Sequence, residues 1–585
     1  MGYRNAYDLA FDTRGELYTW DSDMEWDVGA PWYRPVRIAQ AVSGSDFGWR
    51  TGSSKWPTSW LDTLPSTADL GRGSPTGLVF GTGLRAPARW QRALYACDWS
   101  FGTIWALDLK DDGAASTATA VPFLRGTPFP ATDILVGSDG ALWISSGGRR
   151  TRSGLYRVSW TDAASSVPAE PLALSAALLE RRALERLHAP NQTWTADEEA
   201  RVAAALASSD RWLAYAARVA LEHAGIESFD ALVARGSTEP ELVLAGLRRW
   251  PNERRTWIMA QLNTLPSTTV EARREWLRLA HVACVRLAPL QADESSALQA
   301  RAQALGWCGD ERADWDRASL LGHFGGAAAI EALLGRLETS RKQEDQLHLA
   351  YVLSGIASPI DLDQRRRFLT RWRELLPLMR GGESLQLYAE RMRDRFVASI
   401  PADQLAHLAD AVSKPVDSPA APTAATASFV RAWTRAEVRE LLSQRGTPST
   451  AAAGQAAFAN ATCSACHRID GAGGSSGPDL TTLGSRFGVD DLLDALFEPS
   501  KTISDQYADT ELQTDEGDLY VGRVESDRDG IVRLVDSAGR KLEVESARIV
   551  VRRPWKLSRM PVGLLDTLDE AGIRALFDYS LGKVR

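Results

Sequence analysis

Cys463-Ser464-Ala465-Cys466-His467 is the stretch of this chain whose residue types and spacing ask for one particular chemistry. Two thiols separated by two residues can add to the two vinyl groups of a haem, and the adjacent imidazole then reaches the iron as an axial ligand. A zinc site would want a second Cys or His pair, and no Cys or His follows His467. A thioredoxin-like dithiol would want a preceding strand in a βαβ unit, whereas Ala451 to Asn460 read as helix. The pattern points to covalent haem c on Cys463 and Cys466, with His467 on the iron. Only one Met, Met560, lies beyond the motif, in Ser558-Arg559-Met560-Pro561. A thioether there would complete His/Met ligation, which raises the potential and suits electron transfer. The alternatives are that Met560 is a core residue under the last helix, that Lys501, Lys541 or Lys556 ligates, or that the sixth position is open.

Other candidates carry less. Gly81-Thr82-Gly83 is a turn and not a phosphate loop, because no Lys-Ser/Thr follows. His188, His223, His281, His323, His348 and His407 sit singly among helices. Cys97, Cys284 and Cys308 read as ordinary buried thiols.

The elements that must position these residues differ along the chain. With 585 residues, 44% hydrophobic and 24% charged, three to five globular domains are expected. The net charge of -8 is spread along the chain and argues against nucleic-acid binding. No apolar run of 18 residues predicts a transmembrane helix. Eleven of the 21 Trp fall within residues 1–160. There, short apolar strands alternate with Gly turns, as in Asp8-Leu9-Ala10-Phe11-Asp12 then Gly15-Glu16-Leu17-Tyr18-Thr19-Trp20. The phrase returns at Asp133 to Ile144 and, more loosely, at Thr76 to Asp98. Repetition of one phrase favours a partial β-propeller of about three blades over a β-sandwich. Three blades do not close a ring, so blades missing at the amino end, or borrowed ones, are expected.

Residues 170–410 show helical periodicity broken by short polar links, which predicts a HEAT-like α-solenoid or, alternatively, an irregular bundle. Residues 411–428 read as a Pro/Ala/Thr/Ser linker. A helix is expected from Phe429 to Gln444. The haem motif lies in a helical domain over 429–510 and 554–585. Within it, 511–553 alternates with period two and predicts a small β meander or SH3-like barrel.

Gly454-x-x-x-Phe458, the CxxCH, Gly477-Pro478-Asp479-Leu480 and the late Met560-Pro561 resemble the layout of a class I cytochrome c. More closely, Gly477 to Thr481, Ser485-Arg486-Phe487, Asp491-Leu492-Leu493, Pro499-Ser500-Lys501 and Ile503 to Tyr507 look like the haem-binding domain of large Planctomycetes and Verrucomicrobia proteins. In those it follows a propeller described as a membrane-bound dehydrogenase domain, with HEAT-like helices between. The amino-terminal stretch Gly2 to Ala10, an acidic segment, and Gly44-Ser45-Asp46-Phe47-Gly48-Trp49 are similar to the soluble quinoprotein glucose/sorbosone dehydrogenases. That resemblance implies that Arg4 and Asn5 face pyrroloquinoline quinone, and that Asp21, Asp23 and Glu25 hold calcium. Clustered carboxylates do need neutralising by a cation or Arg. A solvated acidic loop facing Arg34 and Arg37 is the alternative.

The family's catalytic His is missing, because residues 1–160 contain no His. The combined expectation is a c-type haem electron-transfer protein, the electron-accepting part of a periplasmic dehydrogenase. A redox partner protein of the respiratory chain and a sugar or polysaccharide substrate go with it. The rival is a partner- or polysaccharide-binding protein with a redox-sensing haem. Met1-Gly2-Tyr3-Arg4-Asn5 does not read as an export signal, so a periplasmic location implies a truncated gene start.

Overall fold

Strand-forming residues dominate the amino-terminal region, and the computed structural model resolves them into separate antiparallel sheets. It describes all residues except 25–33, 52–53, 127, 149–150, 162–166, 171, 191, 358, 380–382, 414–427, 445–448, 475, 486, 504–506, 538 and 585. Most of the expected linker therefore lies outside the described residues. The chain divides into two compact units, one reaching to Ala329 and the other running from Ile330 onward. Among the described residues no helix is long and apolar enough to cross a membrane.

In the first unit, β1 (Ala6–Phe11), β2 (Leu17–Asp21) and β3 (Arg37–Ala41) form one sheet. A hairpin of β4 (Trp49–Arg50) and β5 (Ser54–Lys55) follows, and β6 (Ala68–Asp69) then completes that sheet beside β3. The second sheet is β7 (Pro75–Phe80), β8 (Leu94–Asp98), β9 (Thr103–Asp112) and β10 (Ala115–Arg125), with the short helix α1 (Ala88–Arg92) between β7 and β8. The third is β11 (Ala131–Val136), β12 (Leu142–Gly148) and β13 (Thr151–Val158). Among the described residues none of these sheets closes on itself.

The first strands of successive sheets are neighbours, β1 against β7 and β7 against β11. The Leu78 N–H of β7 donates to the Asp8 carboxylate of β1 at 2.8 Å. β8 is buried along its whole length, and its alternation serves two interfaces. Leu94 and Ala96 face Tyr18, Trp20 and Ile38 of the first sheet. Tyr95 and Cys97 face Ile134, Leu142 and Ile144 of the third. Each such large side chain contributes roughly 1.5–3 kcal/mol on burial. Tyr7, Leu9 and Phe11 on the far side of β1 are exposed, as are Leu135 and Leu155 on the third sheet.

Helices follow in two layers. α2 (Ala176–Glu185), α4 (Arg211–His223), α6 (Pro240–Arg249), α8 (Val270–Arg286) and α10 (Glu311–Phe324) pack in succession. α3 (Ala196–Leu206) packs on α5 (Ile226–Ala234), and α7 (Arg255–Thr264) packs on α9 (Ala292–Ala304), to make the other layer. Trp212, Tyr215 and Val219 of α4 seat on Ala39, Phe47 and Leu64 of the first sheet and its following loop. Charge fixes the same face. Glu16 is paired by Arg181 and Arg182 of α2. Asp62 is gripped by Arg278 of α8 at 2.5 and 2.9 Å, and that guanidinium lies 3.8 Å above the Trp60 ring.

In the second unit, α11 (Ala327–Thr339) spans the boundary, and α12 (Gln343–Ser354) packs on α14 (Glu383–Ala398). α13 (Leu362–Leu375) packs on α16 (Ala409–Val412), which follows the short α15 (Ala402–Leu405). The helix expected from Phe429 is shorter, and α17 is Arg435–Ser443. Thr434 and Glu437 form a capping box at its start. Upstream, the Trp433 indole donates to the Leu568 carbonyl at 3.0 Å and holds that stretch extended.

Asp98, at the end of β8, generates a pH-dependent prediction. Burial pushes its carboxyl up to about 6, against backbone N–H donors from Ser74, Ser100 and Phe101. The native state thus binds this proton more tightly than the unfolded chain. The stabilisation is complete below about pH 4 and is lost as pH rises through about 6. Asp98→Asn keeps an acceptor for the N–H groups and removes the titration. The variant should match the wild type at pH 4 and exceed it by about 2–3 kcal/mol at pH 8. Urea unfolding at the two pH values checks this; equal stability differences at both would contradict it.

Candidate functional site

The motif hangs from a crossing of two helices. α18 (Ala451–Asn460) is N-capped by Thr450, and α20 (Glu570–Ser580) by Asp569. They meet at Gly454, where a Cβ would fall 2.4 Å from the Tyr579 Cβ. The absence of a side chain there allows the close approach. One turn on, Phe458 meets the Tyr579 ring edge-on at 6.0 Å. α19 (Val489–Phe497) and α17 pack around this pair and close an apolar cluster with Leu493, Ile573, Leu576 and Phe577.

From α18 the chain turns through Thr462, in the left-handed region with φ of 57°, into a single tight turn at Cys463–Ala465. The His467 N–H donates to the Cys463 carbonyl at 2.8 Å, closing the five-residue motif. Cys463 is half-buried against the apolar cluster, and Cys466 is exposed. Both thiols are free of disulfides. Burial pushes the Cys463 thiol up to about 12, so it is held protonated.

The His467 imidazole is oriented by backbone. Its Nδ1 lies 2.9 Å from the Pro478 carbonyl oxygen. A carbonyl can only accept, so Nδ1 carries the proton and Nε2 carries the lone pair. Burial lowers the pKa of the ring and keeps it neutral, the form that ligates a metal. Gly477 lets the strap pass this close, since a Cβ there would lie 2.7 Å from the ring Cε1. Beyond it, Asp479 accepts from the Thr481 N–H and hydroxyl at 2.8 and 2.5 Å. The Leu480 N–H bonds the Arg468 carbonyl at 2.9 Å. Gly-Pro-Asp-Leu-Thr is therefore a strap that fixes one tautomer of His467.

Met560 borders the same apolar cluster as Cys463 and Leu480. Its loop is held from the inserted sheet. That sheet has β16 (Thr510–Thr514), β17 (Leu519–Arg528), β18 (Ile531–Val535), β19 (Lys541–Glu545) and β20 (Ile549–Pro554), in the order β19-β18-β17-β16-β20. A 3-10 turn at Ser546–Arg548 precedes β20. The first residue of β16, Thr510, pairs with the last of β20, Pro554, so the two ends of the insertion are adjacent. Arg559 bonds Asp509 at 2.8 and 2.9 Å and the Asp536 carbonyl at 3.0 Å. The Met560 N–H donates to the Ser558 hydroxyl at 3.1 Å. The roles of the Pro478 carbonyl and of the Asp509–Arg559 clamp go beyond the sequence reading. The Gly-Pro after the motif, and an Arg preceding the lone Met, were the signals present.

The donor set fits a haem. It comprises two thiols at CxxC spacing, a neutral imidazole with Nε2 bearing the lone pair, and a soft thioether, Met560, that borders the same apolar cluster as Cys463. Among the described residues no group of three or more His, Cys, Asp or Glu gathers as a separate metal site.

The amino-terminal candidates are placed differently. Asp21 is buried, and its Oδ1 accepts from the Arg4 and Asn5 backbone N–H groups at 2.8 and 2.9 Å. Its Oδ2 takes Arg37 at 3.0 Å and Lys55 at 3.5 Å. Both oxygens are committed to protein donors, so Arg37 answers this charge. Asp23 lies 3.9 Å from the Arg4 guanidinium. Arg4 and Asn5 are exposed, and Glu25 lies outside the described residues.

Residues 451–515 match the family model described as cytochrome c. No curated protein matches the chain. Among solved structures, the chain is similar to a putative oxidoreductase (glucose dehydrogenase) from Thermus thermophilus, at 19% identity and a TM-score of 0.23. That match covers 27% of this chain and 46% of the other. The PQQ-bound form of an aldose sugar dehydrogenase from Streptomyces coelicolor is similar at 17% identity and a TM-score of 0.20, over 27% of this chain and 44% of that one. A glucose dehydrogenase is similar at 18% and 0.22, over 27% and 46%. The chain spans less than half the length of these structures.

The helix crossing gives a direct test. Gly454→Ala forces a methyl against Tyr579 and should destabilise the C-terminal unit by about 1–3 kcal/mol. A lowered urea midpoint, followed by circular dichroism, is the expected reading. An unchanged midpoint would mean that α18 and α20 do not approach at this residue.

Proposed function

We propose that this chain is a c-type haem electron-transfer protein. Cys463 and Cys466 would hold the haem covalently, and His467 and Met560 would supply nitrogen and sulfur ligands to its iron. The observation that carries this reading is the Pro478 carbonyl on His467 Nδ1, which points the lone pair to Nε2 within a CxxCH. The match of residues 451–515 to cytochrome c supports it. Bound haem supplies a one-electron couple. The chain's own residues hold the imidazole neutral, set its tautomer, and brace the Met560 loop through Arg559 and Asp509. A carrier of this kind serves a redox partner protein, in the respiratory chain on our reading, and in an extracytoplasmic compartment.

The three sheets of the first unit are read as blades of a partial propeller, because each is an antiparallel meander whose first strand neighbours the next sheet's first strand. On that reading the haem accepts electrons from a quinoprotein dehydrogenase acting on a sugar. Arg4 and Asn5, exposed before β1, are then the residues to meet a quinone. Any calcium would rest on Asp23 and Glu25 rather than on Asp21, whose oxygens are occupied by protein donors. A second reading, a binding protein with a redox-sensing haem, is favoured by the absence of any His in residues 1–160.

The chain, expressed with an export signal and a haem-attachment system, should keep haem stain through denaturing electrophoresis. Cys463→Ala with Cys466→Ala should abolish it, and no stain on the wild type would defeat the proposal. Met560→Ala should leave haem attached, remove the weak far-red band of thioether-to-ferric ligation, and lower the midpoint potential. Retention of the band in Met560→Ala would transfer the sixth position to another residue.

A further inference from the structure

A cavity of about 450 Å³ opens beside the CxxCH strap, inside the second unit. This lies within the roughly 300–1,000 Å³ typical of small-molecule sites. One wall is Arg468 with the hairpin of β14 (Arg468–Ile469) and β15 (Ala472–Gly473). The opposite wall comes from Arg341, α12, α13 and the turn that follows α13.

The guanidinium groups in this cavity are under-used. Arg468 is only 8% exposed, yet its Nε has no hydrogen-bond partner among the described residues. Arg371 Nε is likewise buried without a partner; through Nη1 this side chain meets Glu374 at 3.2 Å, and its charge also acts on Glu338. A buried donor left unmet is costly, and more so when charged. Both side chains line the cavity, and their unmet donors call for an acceptor. Asp470 and Asp479 line the cavity as well, but Asp479 already accepts twice from Thr481. Three guanidinium groups against two carboxylates leave the lining net positive. Leu378 and Met379 add an apolar wall.

We infer that this cavity binds a small oxyanion, a carboxylate or phosphate on a partly apolar body, held by Arg341, Arg371 and Arg468. Guanidinium groups suit such ligands because their planar N–H pairs match two oxygens at once. Arg468 directly follows His467, and Asp479 directly follows Pro478, so the bound charge lies against the residues that flank and hold the imidazole. A negative charge there stabilises oxidised iron over reduced iron. By linkage, the oxidised protein binds the anion more tightly by the same factor that lowers its potential. This coupling rests on the haem reading, whereas the binding itself does not.

The test is calorimetric titration of the full-length holoprotein with inorganic phosphate and with succinate. Saturable uptake is expected, weakened about ten-fold by Arg341→Gln and by Arg371→Gln, with the haem spectrum unchanged. About three-fold tighter binding to the oxidised form is expected, which corresponds to a fall in midpoint potential of about 28 mV at saturation. No saturable uptake of either probe, or equal uptake by the wild type and both variants, would overturn the site. Uptake by the haem-free chain that vanishes in the holoprotein would assign these arginines to the haem's own carboxylates, which also overturns it. Uptake by the holoprotein without any shift in potential would overturn the coupling alone. If no haem attaches, calorimetry on the haem-free chain still decides the site, so the two failures are distinct.

Discussion

The hydrogen bond from His467 Nδ1 to the Pro478 carbonyl sets a constraint that the C-terminal unit is arranged around. An imidazole on a short loop would otherwise rotate and exchange tautomers. Holding it needs a backbone carbonyl at a fixed place, and so a strap that doubles back over the motif. The strap is anchored at both ends. The Gly477 N–H bonds the Cys466 carbonyl at 2.8 Å, and Leu480 reaches the apolar cluster beneath. That cluster exists because α18 and α20 touch at Gly454. A missing methyl on one helix thus bears on the aim of a nitrogen on a loop.

The first unit solves a different problem. Sheets that pack face to face leave their outer rims open, and here helices cover part of one rim. The ties are arginines on carboxylates that sit in turns and loops: Arg181 and Arg182 on Glu16, and Arg278 on Asp62. Buried pairs of this kind add little net stability compared with apolar packing, but losing one partner costs about 3–5 kcal/mol. They therefore specify which helix face meets which loop. Trp56 and Trp60, whose rings also touch each other, contribute by meeting the Arg278 guanidinium at 4.8 and 3.8 Å. Some of the tryptophans crowded into residues 1–160 serve this contact between sheet loop and helix.

How much of this was legible depends on whether the information is local. CxxCH is legible because attachment chemistry needs contiguous residues. The strands are legible because burial on one face imposes a period of two, while burial on both faces, as in β8, gives a short apolar run bounded by turns. Helices α3, α4, α6 and α8 lie in the stretch that helical periodicity marks. Other features depend on partners far along the chain. Periodicity says that residues 170–410 are helical, but not that the packing divides near Ala329. The helix expected from Phe429 begins six residues later because Trp433 is tied to Leu568, which local sequence does not display. The part played by Pro478 belongs to a main-chain oxygen, and no side-chain pattern marks it. Asp21 shows what pattern alone leaves open: acids at 21, 23 and 25 admit either a cation or a facing arginine, and in the fold Asp21 meets Arg37, sixteen positions away.

The adjacency of Thr510 and Pro554 bears on the order in which the unit can assemble. Cys463 and Met560 are far apart along the chain, and bringing them to one cluster means closing a long loop. Strands β16 to β19 pair as hairpins whose partners are close in sequence, and such contacts form within microseconds; β20 then closes the ends by pairing back onto β16. Once its ends meet, the insertion counts for little in the remaining closure, and the effective loop is roughly halved. The saving is about 0.6 kcal/mol of chain entropy. The larger effect is on the route: the sheet can fold as a local knot that reels Arg559 in to Asp509. The Met560 loop then approaches the cluster as the edge of a finished body rather than as the far end of a free chain.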